Sequence, residues 1–172
     1  MKLEILCYPD ERLNKKAHIV ECVNEEVVKI ADDMLETMYE ANGVGLAATQ
    51  VNIQKRIIVI DISKTRDEPM VLINPEVVAH GSSKVVNEEG CLSVPDIYDD
   101  VQRWDTVVVQ ALDKQGQMQR IEADGLLSRC LQHEIDHLDG HVFVEYLSPL
   151  KRNRIRTKLV KRKREEVKSQ KR

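Results

Sequence analysis

The sequence predicts an α+β fold, with a mostly antiparallel sheet packed around one internal helix and a further helix at the C-terminus. Three observations predict it: an early segment of helical periodicity, a central block of short β-branched runs, and two more helical stretches after that block. At 172 residues the chain suits a single domain built on one core.

The first helix opens at Asn24, a residue able to cap the Glu25-Glu26 turn. Val27, Ile30, Ala31, Met34, Leu35 and Met38 then recur at helical spacing until Asn42-Gly43 ends the run. Strands are expected over Arg56 to Ile62, Met70 to Ile73, Lys84 to Val86, Thr106 to Leu112 and Met118 to Glu122, where β-branched residues concentrate. Asp113-Lys114-Gln115-Gly116 between the last two reads as a hairpin turn. Gly125 precedes a helical stretch from Leu126 to Leu138 that Asp139-Gly140 stops, and Ser148-Pro149 starts the final helix.

Composition narrows the function. Aromatic residues are scarce, with Trp104, Phe143 and four tyrosines, so Leu, Ile and Val fill the interior and a base-stacking surface is not expected. No signal peptide precedes Pro9 and no run approaches a membrane span, so the expected setting is the cytoplasm, with no membrane partner. Cys7, Cys22, Cys91 and Cys130 show no paired spacing and are expected as reduced thiols, free to serve as ligands. The net charge of −3 conceals an asymmetry. Residues 151–172 carry 12 Lys/Arg against Glu165 and Glu166, a net of +10, which leaves the first 150 residues at −13. The expected organisation is a catalytic metal-hydrolase domain over 1–150, with 151–172 as its basic C-terminal helix or tail, suited to a polyanionic partner.

The chemistry concentrates in three segments. His133-Glu134-Ile135-Asp136-His137 places two histidines four apart on a helix, about 40° apart in azimuth at ~3.6 residues per turn, so both imidazoles reach one ion. This makes Leu126 to Leu138 the metal-binding helix around which the sheet is expected to pack. Glu134 projects beside the pair, where it can take a proton from an activated water without being a ligand. A catalytic site of this kind needs a third protein ligand. Cys91, in Glu89-Gly90-Cys91-Leu92-Ser93, is the candidate, with Gly90 permitting close backbone approach. The third segment, Gly43-Val44-Gly45-Leu46-Ala47-Ala48-Thr49-Gln50, combines small residues suited to tight turns with a neutral donor and acceptor in Gln50.

Together these segments resemble the peptide deformylase family. Its motifs G-x-G-x-A-A-x-Q, E-G-C-L-S and H-E-x-D-H match Gly43 to Gln50, Glu89 to Ser93 and His133 to His137, in that order. The resemblance extends to Tyr8-Pro9-Asp10-Glu11-Arg12-Leu13 and Ile73-Asn74-Pro75. It implies a single α+β domain that removes the formyl group from the N-terminal formyl-methionine of nascent proteins. By the resemblance Cys91, His133 and His137 are the metal ligands, Glu134 is the general acid/base, and Gln50 with the Leu92 backbone N–H stabilises the oxyanion. The implied native ion is Fe(2+), with Zn(2+), Ni(2+) or Co(2+) able to substitute. The implied substrate pocket is Val44, Gly45, Gly90, Leu92, Leu126 and Cys130. Arg129 and Tyr98 depart from the family pattern, which leads one to expect an aliphatic and a basic residue there. Glu89 with Arg103 is a candidate ion pair behind the cysteine loop, and Asp136 a candidate brace for the metal-binding helix.

Two other readings compete. A zinc endopeptidase also uses His-Glu-x-x-His and takes its third ligand downstream, where His141 stands, although Gly140 interrupts a continuous helical triad. A non-catalytic ribosome- or RNA-binding module would be built on the basic tail. The resemblance joins that tail to the catalytic reading, because the C-terminal helix of bacterial deformylases docks on the ribosome, the expected partner of residues 151–172.

Overall fold

A computed structural model of the chain describes residues 1–170. Helix α1 (Glu25–Glu40) begins where expected, its Val27 amide donating to the Asn24 side chain at 3.0 Å. Strands follow as β1 (Gly45–Ala47), β2 (Ile57–Ile60), β3 (Met70–His80), β4 (Lys84–Cys91), β5 (Val94–Trp104), β6 (Val107–Leu112) and β7 (Met118–Ala123). Helices α2 (Gly125–Leu138) and α3 (Pro149–Gln170) complete the chain, with short 3-10 turns at Glu11–Asn14, Ala48–Val51 and Phe143–Tyr146. The last two residues of the basic tail, Lys171 and Arg172, lie outside the described residues.

The sheet takes the order β1-β2-β3-β6-β7 with every pairing antiparallel, and β4 and β5 form a separate antiparallel ribbon. The fold is therefore α+β, as expected. Strand β2 shows how the layers are built. Ile57 and Val59 pack with Val27, Ala31, Met34 and Met38 of α1, while Ile58 and Ile60 pack with Leu131, Ile135 and Leu138 of α2. Successive side chains of a strand point to opposite faces, so a run of four apolar residues serves a helix on each side. A third cluster joins Val94 and Val101 of the ribbon to Phe143, Val144, Ile155 and Leu159, which seats α3 through only two buried side chains.

Several strand boundaries differ from expectation. Arg56 to Ile62 shortens to Ile57–Ile60, and Met70 to Ile73 extends through Asn74-Pro75 to His80. Pro75 cannot donate to the ladder, and the chain passes it by a register shift between Ile73 and Glu76, with Asn74 at φ 53° and its side chain bonded to both backbone groups of Val20. Lys84 to Val86 extends to Cys91, and β5 was not anticipated, because Asp96, Asp99 and Asp100 give it poor strand propensity. Asp96 and Asp100 are tolerated because a two-stranded ribbon leaves one face in water, while Asp99, on the opposite face, pairs with Lys151 Nζ at 3.1 Å. Strand β1 is absent from the expected strands, since glycine is a weak strand former. Among the described residues no helix is long and apolar enough to cross a membrane.

Candidate metal centre

Helix α2 carries His133 and His137 one turn apart, their ring centroids 5.0 Å from each other. The β4–β5 ribbon brings Cys91 to them from a distant part of the chain. Cys91 pairs with Val94 across a two-residue turn of Leu92 and Ser93, and that turn is tied to the N-terminal segment by Tyr8 N–H donating to Ser93 O at 2.8 Å. One ligating atom from each of Cys91, His133 and His137 falls within 4.8 Å of the other two. Cys91 Sγ lies 3.3 Å from His137 Nε2. Ligands ~2.0–2.3 Å from a shared tetrahedral ion stand at about this separation, so one thiolate and two imidazoles fit a divalent metal with a position left open. Gln50 Nε2 and Ser93 N–H both donate toward Cys91 Sγ at 3.4 Å, which fixes the position of the sulfur.

Glu89 orients His133. Its Oε1 is 2.8 Å from His133 Nδ1, which turns His133 Nε2 toward the cluster. Arg103 grips the same carboxylate through Nε at 2.8 Å and Nη2 at 3.0 Å, and reaches Asp136 Oδ2 through Nη1 at 2.5 Å. Tyr146 O–H also donates to Asp136, at 2.8 Å, with its ring beneath the Arg103 guanidinium. Burial alone would raise the Glu89 pKa, but the bonds from Arg103 and His133 outweigh it and hold the carboxyl down at about 2. The sequence suggested Glu89–Arg103 and Asp136 as supports. The Glu89–His133 link, spanning 44 positions, had no local signal.

Glu134 is buried, and burial pushes its pKa up to about 7. Its Oε1 lies 3.6 Å from His133 Nε2, and its Oε2 has no hydrogen-bond partner among the described residues. A carboxylate near neutrality with a free oxygen beside a metal-ligand cluster is poised to exchange a proton. Gly45 makes room for it, because a Cβ there would stand 2.9 Å from Glu134 Oε2. Gln50 is fixed by Ala47 N–H donating to its Oε1 at 2.9 Å, which leaves Nε2 facing Ser93 Oγ and Cys91.

A cleft of about 530 Å³ opens onto these groups. Val44, Gly45, Gly90, Leu92, Leu126 and Cys130 all line it, and so do Arg129 and Tyr98. The Tyr98 ring lies against Gly90, where a Cβ would collide with its Cε1, so any side chain at position 90 would displace the ring. Burial raises the Cys130 thiol to about 12, so this cysteine is an inert part of the wall. Strand β1 forms one rim. Asp61 N–H donates to Val44 O at 2.8 Å, so Gly45, opposite Ile60, is a non-hydrogen-bonded pair whose own N–H and C=O point away from β2 along the open edge of the sheet. His141 stands apart from the cluster, exposed and 3.0 Å from Glu145 Oε2.

The comparisons with known proteins agree with this geometry. Residues 2–153 match the family model described as polypeptide deformylase. Peptide deformylase 1 of Ralstonia nicotianae is 57% identical over 159 residues, covering 92% of this chain and 94% of that protein. The peptide deformylase of Chromohalobacter salexigens is 55% identical over 163 residues, covering 95% and 96%. Among solved structures, the peptide deformylase of Ehrlichia chaffeensis superimposes with a TM-score of 0.93 at 41% identity, over 97% of this chain and 99% of that one. That of Legionella pneumophila gives 0.91 at 49% identity, over 97% and 98%. With a family model spanning residues 2–153 and relatives this similar over more than nine-tenths of their lengths, the chain belongs to the polypeptide deformylase family.

Proposed function

We infer that this chain hydrolyses the formyl amide of N-terminal formyl-methionine on nascent proteins and releases formate, the activity of the family to which it belongs. The observation that carries the chemical reading is the convergence of Cys91, His133 and His137 beside the buried, half-unpartnered carboxylate of Glu134. Hydrolysis of an amide needs an activated water, a stabilised oxyanion and a proton for the departing amine. Cys91, His133 and His137 would hold a divalent ion, which when bound would supply Lewis acidity and lower the pKa of water toward neutrality. Glu134 accepts the proton during attack and returns it to the leaving nitrogen, roles suited to a group near pH 7. Gln50 Nε2 and the Leu92 N–H serve as oxyanion donors.

Val44, Leu92, Leu126 and Cys130 give the methionine side chain an apolar wall, while Gly45 and Gly90 let backbone approach the substrate. We assign Fe(2+) as the native ion on the strength of the family resemblance, with Zn(2+), Ni(2+) or Co(2+) able to replace it, since one thiolate and two imidazoles suit any of them. Helix α3 carries the ribosome contact and the protein works in the cytoplasm, where nascent chains emerge. Lys158, Lys161, Lys163 and Arg164 are exposed on that helix, and the body it serves has a net charge of −13 over residues 1–150.

The test is anaerobic purification, metal analysis and an assay of formate release from formyl-Met peptides beside an unformylated protease substrate. Stoichiometric metal and turnover of the formylated peptide alone are expected. Cleavage of an internal peptide bond without formate release would replace the deformylase reading with an endopeptidase.

A further inference from the structure

The rim of the cleft is held from outside by a loop that no motif identifies. Residues 61–69 connect β2 to β3 and fold around Asp61, a fully buried carboxylate. Ser63 N–H and O–H donate to Asp61 Oδ1 at 2.8 and 2.5 Å, while Tyr39 O–H at 2.5 Å and Glu68 N–H at 3.2 Å donate to Oδ2. The saturated carboxylate sets the loop so that Arg66 turns back across it. Arg66 has φ 58°, a left-handed conformation rarely adopted by residues other than glycine, asparagine or aspartate. From there its guanidinium donates through Nη1 to Asp61 O at 3.0 Å and through Nη2 to Gly43 O, and it lies 5.2 Å from the centroid of the Tyr39 ring at the end of α1.

Gly43 is the residue through which the chain leaves α1 and enters β1. Its N–H donates to Met38 O at 2.9 Å, and a Cβ on it would stand 2.6 Å from Leu92 Cδ1, so the segment is packed against the ribbon turn that carries Cys91. Two residues on, Gly45 presents its backbone N–H and C=O to the cleft. An extended peptide adds to an open sheet edge through such groups, and its affinity depends on their being fixed beforehand. Arg66 is half-buried and has no carboxylate partner within salt-bridge range among the described residues, and both of its bonds go to backbone carbonyls. Its charge is therefore spent on shaping main chain rather than on an ion pair.

We propose that Arg66 is a positioning residue for substrate, which by holding the Gly43 carbonyl fixes the outward-facing backbone of Gly45 for pairing with the peptide beyond the formyl-methionine. The inference rests on the deformylase reading. It distinguishes a role in peptide binding from one in the chemistry, because Arg66 touches none of the ligating or proton-transfer groups.

The experiment compares metal-loaded, full-length wild type with Arg66→Ala and Arg66→Lys on two substrates, a formyl-Met tripeptide and formyl-methionine lacking any downstream peptide bond. For Arg66→Ala the KM for the tripeptide should rise on the order of tenfold, the loss of one charge-assisted hydrogen bond, with kcat within about twofold. The KM for formyl-methionine should stay within about twofold, and Arg66→Lys, which keeps a donor in reach of the carbonyl, should recover part of the tripeptide affinity. Equal losses on both substrates, or a fall in kcat with KM unchanged, would mark Arg66 as merely structural and overturn the proposal. An unchanged tripeptide KM in Arg66→Ala overturns it alone. A wild type that releases formate from neither substrate overturns the deformylase reading itself.

Discussion

Replacing Gly45 with alanine tests how tightly the Glu134 carboxylate, the proposed proton-transfer group, is confined. The added Cβ would lie 2.9 Å from Glu134 Oε2 and 3.1 Å from both Cδ and Cγ. Ordinary contact begins near 3.4 Å, so the shortfall is about 0.5 Å. Strand β1 cannot absorb it easily, because Leu46 and Ala47 are fully buried and paired with β2. Glu134, whose other oxygen lies 3.6 Å from His133 Nε2, must therefore move. A misplacement of ~1 Å at a reacting centre can cost ~10²-fold, so half that distance predicts a loss of about tenfold in kcat. Overpacking of this size costs about 1–3 kcal/mol, or roughly 2–4 °C in Tm for each kcal/mol in a chain of this length. Metal content should be unchanged, since Gly45 touches no ligand. The measurement is kcat for formate release, alongside metal stoichiometry and thermal melting. Wild-type kcat in a folded, metal-replete Gly45→Ala enzyme would show that Glu134 is not confined by β1, or that its position does not limit the reaction.

Other perturbations read other parts of the site. Cys91→Ala, His133→Ala and His137→Ala should each lose bound metal while remaining folded, whereas Glu134→Ala should keep its metal and lose ~10²–10⁴-fold in turnover; a Cys91→Ala protein with full metal occupancy would remove the thiolate from the ligand set. Glu89→Ala leaves the buried Arg103 guanidinium without its bidentate partner, which predicts a stability loss of about 3–5 kcal/mol by denaturant titration and metal affinity lower by ~10–100-fold. A variant as stable as wild type would show that Asp136 and solvent suffice for Arg103. Burial would raise the Asp61 pKa, but bonds from Ser63 and Tyr39 outweigh it and lower it to about 2 from an ordinary 3.8. Its contribution is thus present above about pH 4 and lost as pH falls toward 2, so Asp61→Asn should flatten the acid limb of the Tm–pH curve in that window; a parallel downward shift at all pH values would contradict the assignment. Deleting residues 151–172 should abolish salt-sensitive sedimentation with ribosomes while hydrolysis of a free formyl-Met peptide stays within a few-fold. Salt-independent binding, or binding that survives truncation, would place the contact elsewhere.

What the sequence made legible is what depends on spacing along the chain. The apolar period from Val27 to Met38 and the His133–His137 interval each encode a helix face directly, and α1 and α2 lie where those intervals put them. Cys91 was reachable as a third ligand because catalytic metal chemistry requires one and the neighbouring glycine allows close approach. Strand β5 was hidden because its outer face is acidic, and β1 because its first residue is glycine, chosen for room beside Glu134 rather than for strand propensity. The links Glu89 to His133 and Arg66 to Gly43 were illegible for a different reason. Each joins side chain or backbone across tens of residues: the first depends on the β4–β5 ribbon packing beside α2, the second on the β1–β2 pairing that sets residues 61–69 next to Gly43.

The cost of the buried charges behind the metal centre indicates what they are for. Glu89 and Arg103 are only 8% and 5% exposed. Apolar residues of similar volume at such positions often give an equally or more stable protein, because desolvating a carboxylate and a guanidinium offsets most of their attraction. Stability alone therefore does not account for the pair. An apolar residue at position 89 would leave His133 Nδ1 without its partner, and the ring could then rotate or change tautomer, turning the lone-pair nitrogen away from Cys91 and His137. With Glu89 anchored by two bonds from Arg103, and Arg103 held in turn by Asp136 and the ring of Tyr146, the imidazole has one orientation. Helix α2 supplies two of the ligating atoms, but the ribbon on one side and strand β1 on the other determine where those atoms and the Glu134 carboxylate point. Changes in the ribbon and the strand edge should accordingly alter catalysis as strongly as changes along the exposed face of the helix leave it untouched.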